Sequence, residues 1–144
     1  PDLVVLDTAA GLTEETLALF AVTDDLLLLV RPDRQDHQGS AVTADVAVRI
    51  GVPRPALVLT HLPGGSVDPA DRTRIEAIFS IPVAATLPLS PAAGEPHRPP
   101  LAIARPADPW SQAIRELASR LLSGPDDPTA HPSGRSGPDR GTGR

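Results

Sequence analysis

The chain has 144 residues, a formal net charge of −5 and a hydrophobic fraction of 40%, which fit one domain with a core of Leu, Val, Ile and Ala. It contains no cysteine, which excludes disulfides, thiolate catalysis and zinc–thiolate sites, and no lysine, so every fixed side-chain cation is an arginine. The arginines are scattered, which argues against a nucleic-acid interface. The sequence has no signal peptide and no apolar run long enough to span a membrane, so we expect a cytoplasmic protein.

The first half of the chain alternates apolar runs with helical patterns. Residues 3–6 are all apolar and predict a buried strand, and Thr13 then predicts the N-cap of a helix that runs to Phe20. A second apolar run, residues 26–30, predicts another strand. A polar loop over residues 31–39 precedes a helix that ends near Ile50, where Gly51 supplies the stop, and its apolar repeat predicts the buried face Val42, Val46 and Ile50.

The second half continues the alternation. Residues 56–60 and 83–87 predict two more strands, and the pair Asp68-Pro69 predicts the start of the helix between them. Residues 91–109 contain six prolines and predict an irregular loop. The last helix begins at Asp108-Pro109, and its predicted apolar stripe is Trp110, Ile114, Leu117 and Leu121.

This order of elements predicts an α/β fold with a mostly parallel sheet and helices on both faces, in three layers. We expect one domain over residues 1–122, followed by a tail over residues 123–144 whose Pro, Gly and Ser content predicts disorder. Ligands of parallel sheets bind at the carboxyl ends of the strands. The candidate functional residues are therefore those that follow each predicted strand.

The first such position is Asp7, with Gly11 four residues further on. A carboxylate at the end of a buried strand can hold Mg²⁺ beside the phosphates of a nucleotide. A glycine can bring its backbone N–H close to a phosphate, because no side chain obstructs the approach. The alternative is that Asp7 caps a turn or the next helix, and the pattern alone favours neither interpretation.

Two further strand ends carry polar residues. The loop over residues 31–36 could line a site or meet a partner, although a solvated loop with an N-cap at Asp36 explains it more simply. Thr60 and His61 end the third predicted strand, and His61 could contact a base, although its neighbours Pro63 and Gly64 favour a turn residue. The other histidines lack the spacing of metal ligands.

Taken in order, these segments resemble the C-terminal half of the MinD/ParA-type P-loop ATPases, the family with a deviant Walker motif. Residues 3–16 resemble the Walker B strand and the second switch of the family, and residues 24–32 resemble its next strand. Residues 56–61 stand where the family has a strand ending in Asn-Lys or Asn-Arg. Residues 81–90 resemble a later strand with its adenine loop, and residues 110–122 resemble the closing helix. The resemblance implies a partial P-loop NTPase, or Rossmann-like, fold.

The resemblance also implies roles for individual residues. Asp7 would be the Walker B acid near Mg²⁺, acting through a water molecule, and Gly11 would be the switch glycine at the γ-phosphate. Thr60 would occupy the adenine-reading position, with Pro88, Leu89 and Ser90 beside the base. Thr60 in place of Asn loses the amide that can read the edge of adenine.

The family's lysine-bearing phosphate loop, which lies upstream of its Walker B strand, has no counterpart in this chain. The resemblance therefore implies ATP and Mg²⁺ as cofactors of an intact relative, whereas we expect no cofactor for this chain alone. The absence of methionine likewise suggests a fragment. The expected role is that of a MinD/ParA-like ATPase in chromosome partitioning or division-site placement, with a homodimer or another protein as partner and without a membrane-targeting helix. The alternatives are a non-catalytic α/β interaction module and a truncated gene product.

Overall fold

The computed structural model describes residues 3–31, 34–96 and 99–123, with the backbone alone described for 34–37. Three parallel strands form one sheet in the order β1-β2-β3, namely β1 (Asp25–Val30), β2 (Arg54–Leu62) and β3 (Val83–Pro88). Five α-helices lie in the described residues: α1 (Glu14–Phe20), α2 (Arg34–Ile50), α3 (Pro69–Phe79), α4 (Leu101–Ala104) and α5 (Pro109–Ser123). Helices cover both faces of the sheet, as the sequence predicts.

The helix starts follow the predicted capping chemistry. The Thr13 hydroxyl accepts a hydrogen bond from the Thr16 N–H at 3.2 Å at the start of α1. Asp68 caps α3 by accepting from the Ala70 N–H at 2.8 Å, with proline at the first helical position. The Asp108 carboxylate accepts from the Trp110 N–H at 2.9 Å in the first turn of α5. Local side-chain chemistry therefore sets all three starts.

One face of the sheet packs against α2 and α3. Its core contains Val30, Leu57 and Leu59 from the strands, together with Ala44 from α2 and Phe79 from α3, all at most 2% exposed. The helix α1 packs on the same face near the amino end of β1, where Phe20 forms a cluster with Ala47, Val52 and Leu26. This face thus holds the largest buried cluster of the described residues.

The other face packs against α5. Val58 of β2 and both Ala85 and Leu87 of β3 form one buried cluster with Leu117, and the other residues of the predicted α5 stripe pack against it. Val83 and Ala85 lie on opposite faces of the sheet, because the register shifts between the pairs Leu57–Val83 and Val58–Ala85. Such a bulge places one extra residue, Ala84, in β3.

The prediction of a strand at residues 3–6 is wrong. This segment has no regular secondary structure, and it pairs with no strand among the described residues. Its four apolar side chains are 50–82% exposed. A strand needs a neighbour to satisfy its backbone N–H and C=O groups, and no described residue provides one for this segment.

Three other predictions need correction. The helix α2 begins at Arg34, so the predicted loop is wrong over residues 34–39 and the N-cap predicted at Asp36 is wrong, whereas residues 32–33 of that loop lie outside the described residues. This helix buries Ala44 and Ala47, whereas Val42 and Ile50 are 56% and 43% exposed, because small side chains let a helix approach the sheet closely. The predicted irregular loop over 91–109 contains a 3₁₀ helix (Pro91–Gly94) and α4.

The predicted tail from residue 123 onward lies outside the described residues, except for Ser123, which ends α5. The division into residues 1–122 and 123–144 therefore stays a prediction. None of the described helices is both long and apolar enough to cross a membrane.

Candidate functional site

The carboxyl ends of β2 and β3 meet at one edge of the sheet. Thr60 is 9% exposed near the end of β2, and its hydroxyl lies 3.5 Å from the carbonyl oxygen of Val30 at the end of β1. The Leu89 N–H, just beyond β3, donates to the Leu62 carbonyl at 3.0 Å. These contacts join the carboxyl ends of all three strands.

His61 occupies an unusual backbone conformation at this edge. Its φ angle is 60°, in the left-handed region that few residues other than glycine adopt. Its Nδ1 atom lies 3.1 Å from the Thr60 hydroxyl oxygen. The Thr60 hydroxyl also donates to the Val30 carbonyl, so the exposed imidazole of His61 and the end of β1 contact the same hydroxyl group. The structure thus places an exposed imidazole beside a buried hydroxyl.

The loop after β2 is tied to the end of β3. Gly65 donates its N–H to the Leu62 carbonyl at 3.1 Å and accepts the Thr86 hydroxyl at 3.1 Å. Its φ angle is 77°, and a Cβ atom placed on it would lie 3.2 Å from the Cβ of Pro88. Glycine is required here both for the backbone conformation and for the close approach to Pro88.

A groove of about 550 Å³ opens between this loop, the end of β3 and the first turns of α5. Pro88 and Leu89, two of the predicted base-binding residues, contribute to its wall. Gln112 and Glu116 of α5 line the opposite side. Sequence reasoning missed both of these residues, although their i, i+4 spacing on the polar face of a helix that follows a proline-rich loop was the available signal.

Not every predicted base-binding residue lies in this groove. Thr60 is absent from its wall and uses its hydroxyl within the protein. Ser90 precedes the 3₁₀ helix as its N-cap, and its side chain makes no capping hydrogen bond. The structure therefore brings together Pro88 and Leu89 with α5, and leaves Thr60 on the β1 side of the same sheet edge.

The predicted phosphate side is not assembled from the described residues. Asp7 is exposed and forms no hydrogen bond or ion pair with any residue that the structure describes. Gly11 has a φ angle of 100°, with open space where a Cβ would stand. Nowhere in the described parts of the chain do three His, Asp or Glu side chains lie close enough to hold a metal ion. One exposed carboxylate does not form an Mg-ATP site.

The shortest ion pair among the described residues lies at the amino ends of the strands, away from the candidate site. Arg54 donates two hydrogen bonds to the Asp25 carboxylate, at 2.6 and 2.7 Å, where β1 and β2 begin. The hydrogen bond from Arg54 lowers the pKa of Asp25, and the bond to Asp25 raises the pKa of Arg54. This pair aligns the two strands and is remote from the candidate site.

The fold is similar to that of the MinD cell division protein of Aquifex aeolicus, with a TM-score of 0.62 and 17% sequence identity over 77% of this chain and 49% of that protein. The sequence is 25% identical over 123 residues to an uncharacterized ATP-binding protein of Methanocaldococcus jannaschii, covering 84% of this chain and 46% of that protein. No protein-family profile matches the chain.

The chain thus spans about half the length of each of these two proteins. The structural likeness confirms a MinD-like, open parallel sheet flanked by helices. Together with the sequence similarity to an ATP-binding protein, it supports the relationship to MinD/ParA-like P-loop ATPases that the ordered motifs predict.

Proposed function

We propose that this chain is the C-terminal half of a MinD/ParA-like ATPase, whose ATP and Mg²⁺ are bound jointly with a half that bears the phosphate-loop lysine. The observation that carries the proposal is the fold likeness, which uses 77% of this chain but 49% of MinD. The sequence supports it, because a chain without lysine cannot supply that residue itself.

In this proposal the chain contributes two separate parts of the nucleotide site. Asp7 is the acid that orients Mg²⁺ through water, and Gly11 is the glycine that approaches the terminal phosphate. The second part is the base side, where Thr60 lies near the end of β2 and Pro88 to Ser90 lie at the end of β3 and directly after it. The support for the base side is the hydrogen bond between Leu89 and Leu62, which holds these two strand ends together.

The proposal further states that the isolated chain does not bind ATP. The triphosphate carries several negative charges, and the chain itself has a net charge of −5. Asp7 would repel the phosphates unless a lysine and a cradle of backbone N–H groups compensated them.

Calorimetric titration with Mg-ATP tests the proposal. The 144-residue chain should show no binding, whereas a chain extended through the in-frame codons that precede Pro1 should bind with micromolar affinity and lose it on Asp7→Asn. Asp24→Asn is the matched control, because it removes the same charge next to the amino end of β1, and it should leave binding unchanged.

Micromolar binding by the 144-residue chain that Asp7→Asn abolishes would refute the claim that the isolated chain is inactive. An extended chain that lacks a lysine-bearing glycine loop and binds no Mg-ATP would refute the ATPase assignment. It would favour the alternative of a non-catalytic interaction module.

The more specific cellular role is proposed from the resemblance to the MinD/ParA-type family. We propose that ATP binding by the complete protein joins two copies and that hydrolysis releases a protein partner, in the cytoplasm, during chromosome partitioning or division-site placement. Sedimentation velocity of the purified extended chain, with and without Mg-ATP, tests whether the nucleotide produces a dimer. A sedimentation coefficient that does not change with nucleotide would contradict it.

A further inference from the structure

The hydrogen-bond donors on the sheet side of the groove are used within the protein. The Thr86 hydroxyl donates to the Gly65 carbonyl at 3.1 Å, and the Leu89 N–H donates to the Leu62 carbonyl at 3.0 Å. The side chains of Pro88 and Leu89 are apolar, and Leu89 is 58% exposed. The strand ends therefore offer a ligand mainly an apolar surface.

The helix side of the groove presents hydrogen-bond acceptors. The Gln112 side chain donates an N–H to the Ala107 carbonyl at 3.3 Å, which leaves the amide oxygen Oε1 as an acceptor. Glu116, one turn further along α5, adds a carboxylate that forms no hydrogen bond or ion pair with any residue that the structure describes. The guanidinium of Arg120 donates instead to the backbone carbonyl oxygens of Glu116 and Ala84. The carboxylate of Glu116 is therefore available to a ligand.

This distribution of groups complements guanine better than adenine. The Watson–Crick edge of guanine carries N–H donors on two adjacent atoms, N1 and N2, whereas adenine carries donors on N6 alone. A carboxylate accepts two parallel N–H bonds at once, as it does from arginine. The N1 atom of adenine requires a donor, and the Thr86 hydroxyl and the Leu89 N–H are already used.

From these two walls we infer that the groove accepts guanine, so that GTP is a ligand of the complete protein in addition to ATP. Glu116 accepts from the N1–H and N2–H groups of the base, and the ring lies against Pro88 and Leu89. The groove volume of about 550 Å³ is within the range of small-molecule sites. The Thr60 hydroxyl does not read the base, because it lies outside the groove wall and donates to Val30.

The inference rests on the proposed function for the class of ligand, a nucleotide, and it adds a second base and the residue that recognises this base. The recognition itself can be measured on the 144-residue chain. A nucleoside monophosphate carries fewer negative charges than a triphosphate, so its base can occupy the groove weakly without the phosphate loop. Guanosine, inosine and adenosine monophosphates (GMP, IMP and AMP) carry the same phosphate and differ only in the base.

Titration of the 144-residue chain with the three monophosphates, followed by NMR in about 0.15 M salt, tests the inference. GMP should bind with millimolar affinity, at least about threefold more tightly than AMP and than IMP, which lacks the N2 amino group. The amide signals of Gly65 and Ala113, which line the groove, should shift, whereas that of Ala44 on the other face of the sheet should not. Equal affinities for GMP and either of the other nucleotides, or no shift at the groove up to about 10 mM, would overturn the inference.

Three variants test the role of Glu116. Glu116→Gln keeps the size of the side chain and removes its charge, and it should reduce the preference for GMP over AMP to less than about twofold. The matched control Glu15→Gln removes the same charge from the first turn of α1, outside the groove, and should keep the preference. Thr60→Val should also keep it, because the Thr60 hydroxyl bonds within the protein. A preference for GMP that survives Glu116→Gln, or that is lost in Thr60→Val, would overturn the assignment of Glu116.

Calorimetry of the extended chain separates this inference from the proposed function. Mg-GTP should bind at least as tightly as Mg-ATP, and Glu116→Gln should weaken Mg-GTP at least about threefold more than Mg-ATP. A preference of the 144-residue chain for GMP, together with an extended chain that binds neither triphosphate, would support the guanine groove and refute the ATPase. Binding of Mg-ATP without binding of Mg-GTP would retain the ATPase and overturn the inference.

Discussion

The contact between the loop after β2 and the end of β3 can be tested by adding one methyl group. Gly64 and Gly65 have nearly the same φ angles, 79° and 77°. A Cβ on Gly64 would have no atom within 4 Å, whereas a Cβ on Gly65 would lie 3.2 Å from the Cβ of Pro88. Gly64→Ala therefore measures the cost of the backbone conformation, and Gly65→Ala measures that cost plus the contact.

The magnitudes follow from these two differences. A left-handed conformation costs an alanine about 1–2 kcal/mol, and the smaller entropy of the unfolded chain returns about 0.4–1 kcal/mol, which leaves about 1 kcal/mol for Gly64→Ala. The close contact adds about 1–2 kcal/mol for Gly65→Ala, as in an overpacked core. The loop cannot move away cheaply, because Thr86 and Leu62 hold both backbone groups of Gly65.

Urea unfolding of the full chain at pH 7 measures the loss of unfolding free energy in each variant. The comparison requires that the unfolding free energy of both variants depend on the urea concentration with the same slope as in the parent chain. We expect Gly65→Ala to lower the free energy of unfolding by about 1–2 kcal/mol more than Gly64→Ala does. If the two variants differ by less than about 0.5 kcal/mol, the contact with Pro88 does not constrain the loop, and the reasoning is refuted.

Three other substitutions test the sheet and its core. Arg54→Ala should cost about 0.5–1 kcal/mol at pH 7, because both partners are partly exposed. The folded-state pKa of Asp25 is lowered, so this difference should hold above about pH 4 and vanish as the pH falls below the folded-state pKa, as acid titrations of both chains will show. Phe79→Ala should cost about 3–5 kcal/mol in urea unfolding, against less than about 1 kcal/mol for its exposed neighbour Ile78→Ala; similar losses would contradict the packing. Thr60→Val should cost about 1 kcal/mol by thermal unfolding, and no loss would show that the long bond to Val30 is negligible.

The predictions that the structure confirms rest on local chemistry. An Asp or Thr before a helix satisfies backbone N–H groups within three residues, so Thr13, Asp68 and Asp108 mark helix starts in any tertiary context. The three paired strands are also evident in the sequence, because continuous apolar runs are typical of parallel strands covered on both faces. The order of these elements was enough to predict the fold class.

The buried face of α2, which was predicted wrongly, and several contacts that the sequence did not predict at all depend on residues far along the chain. Ala44 is buried and Val42 is exposed because α2 lies close to the sheet. The apolar periodicity of a helix does not reveal its distance from the sheet. The hydrogen bonds of Arg72 and Glu76 with the backbone of Val83 require α3 to pack beside β3. The hydrogen bond from Arg120 to the Ala84 carbonyl joins residues 36 positions apart in the sequence. Contacts of this kind arise from tertiary packing and leave no local pattern in the sequence.

Residues 3–6 show why the site was harder to predict than the fold. Their pattern meets every local requirement for a buried strand, yet they are exposed, because a strand forms only against a partner. Asp7 directly follows this segment and is exposed as well, since the residues before it are not held in the sheet.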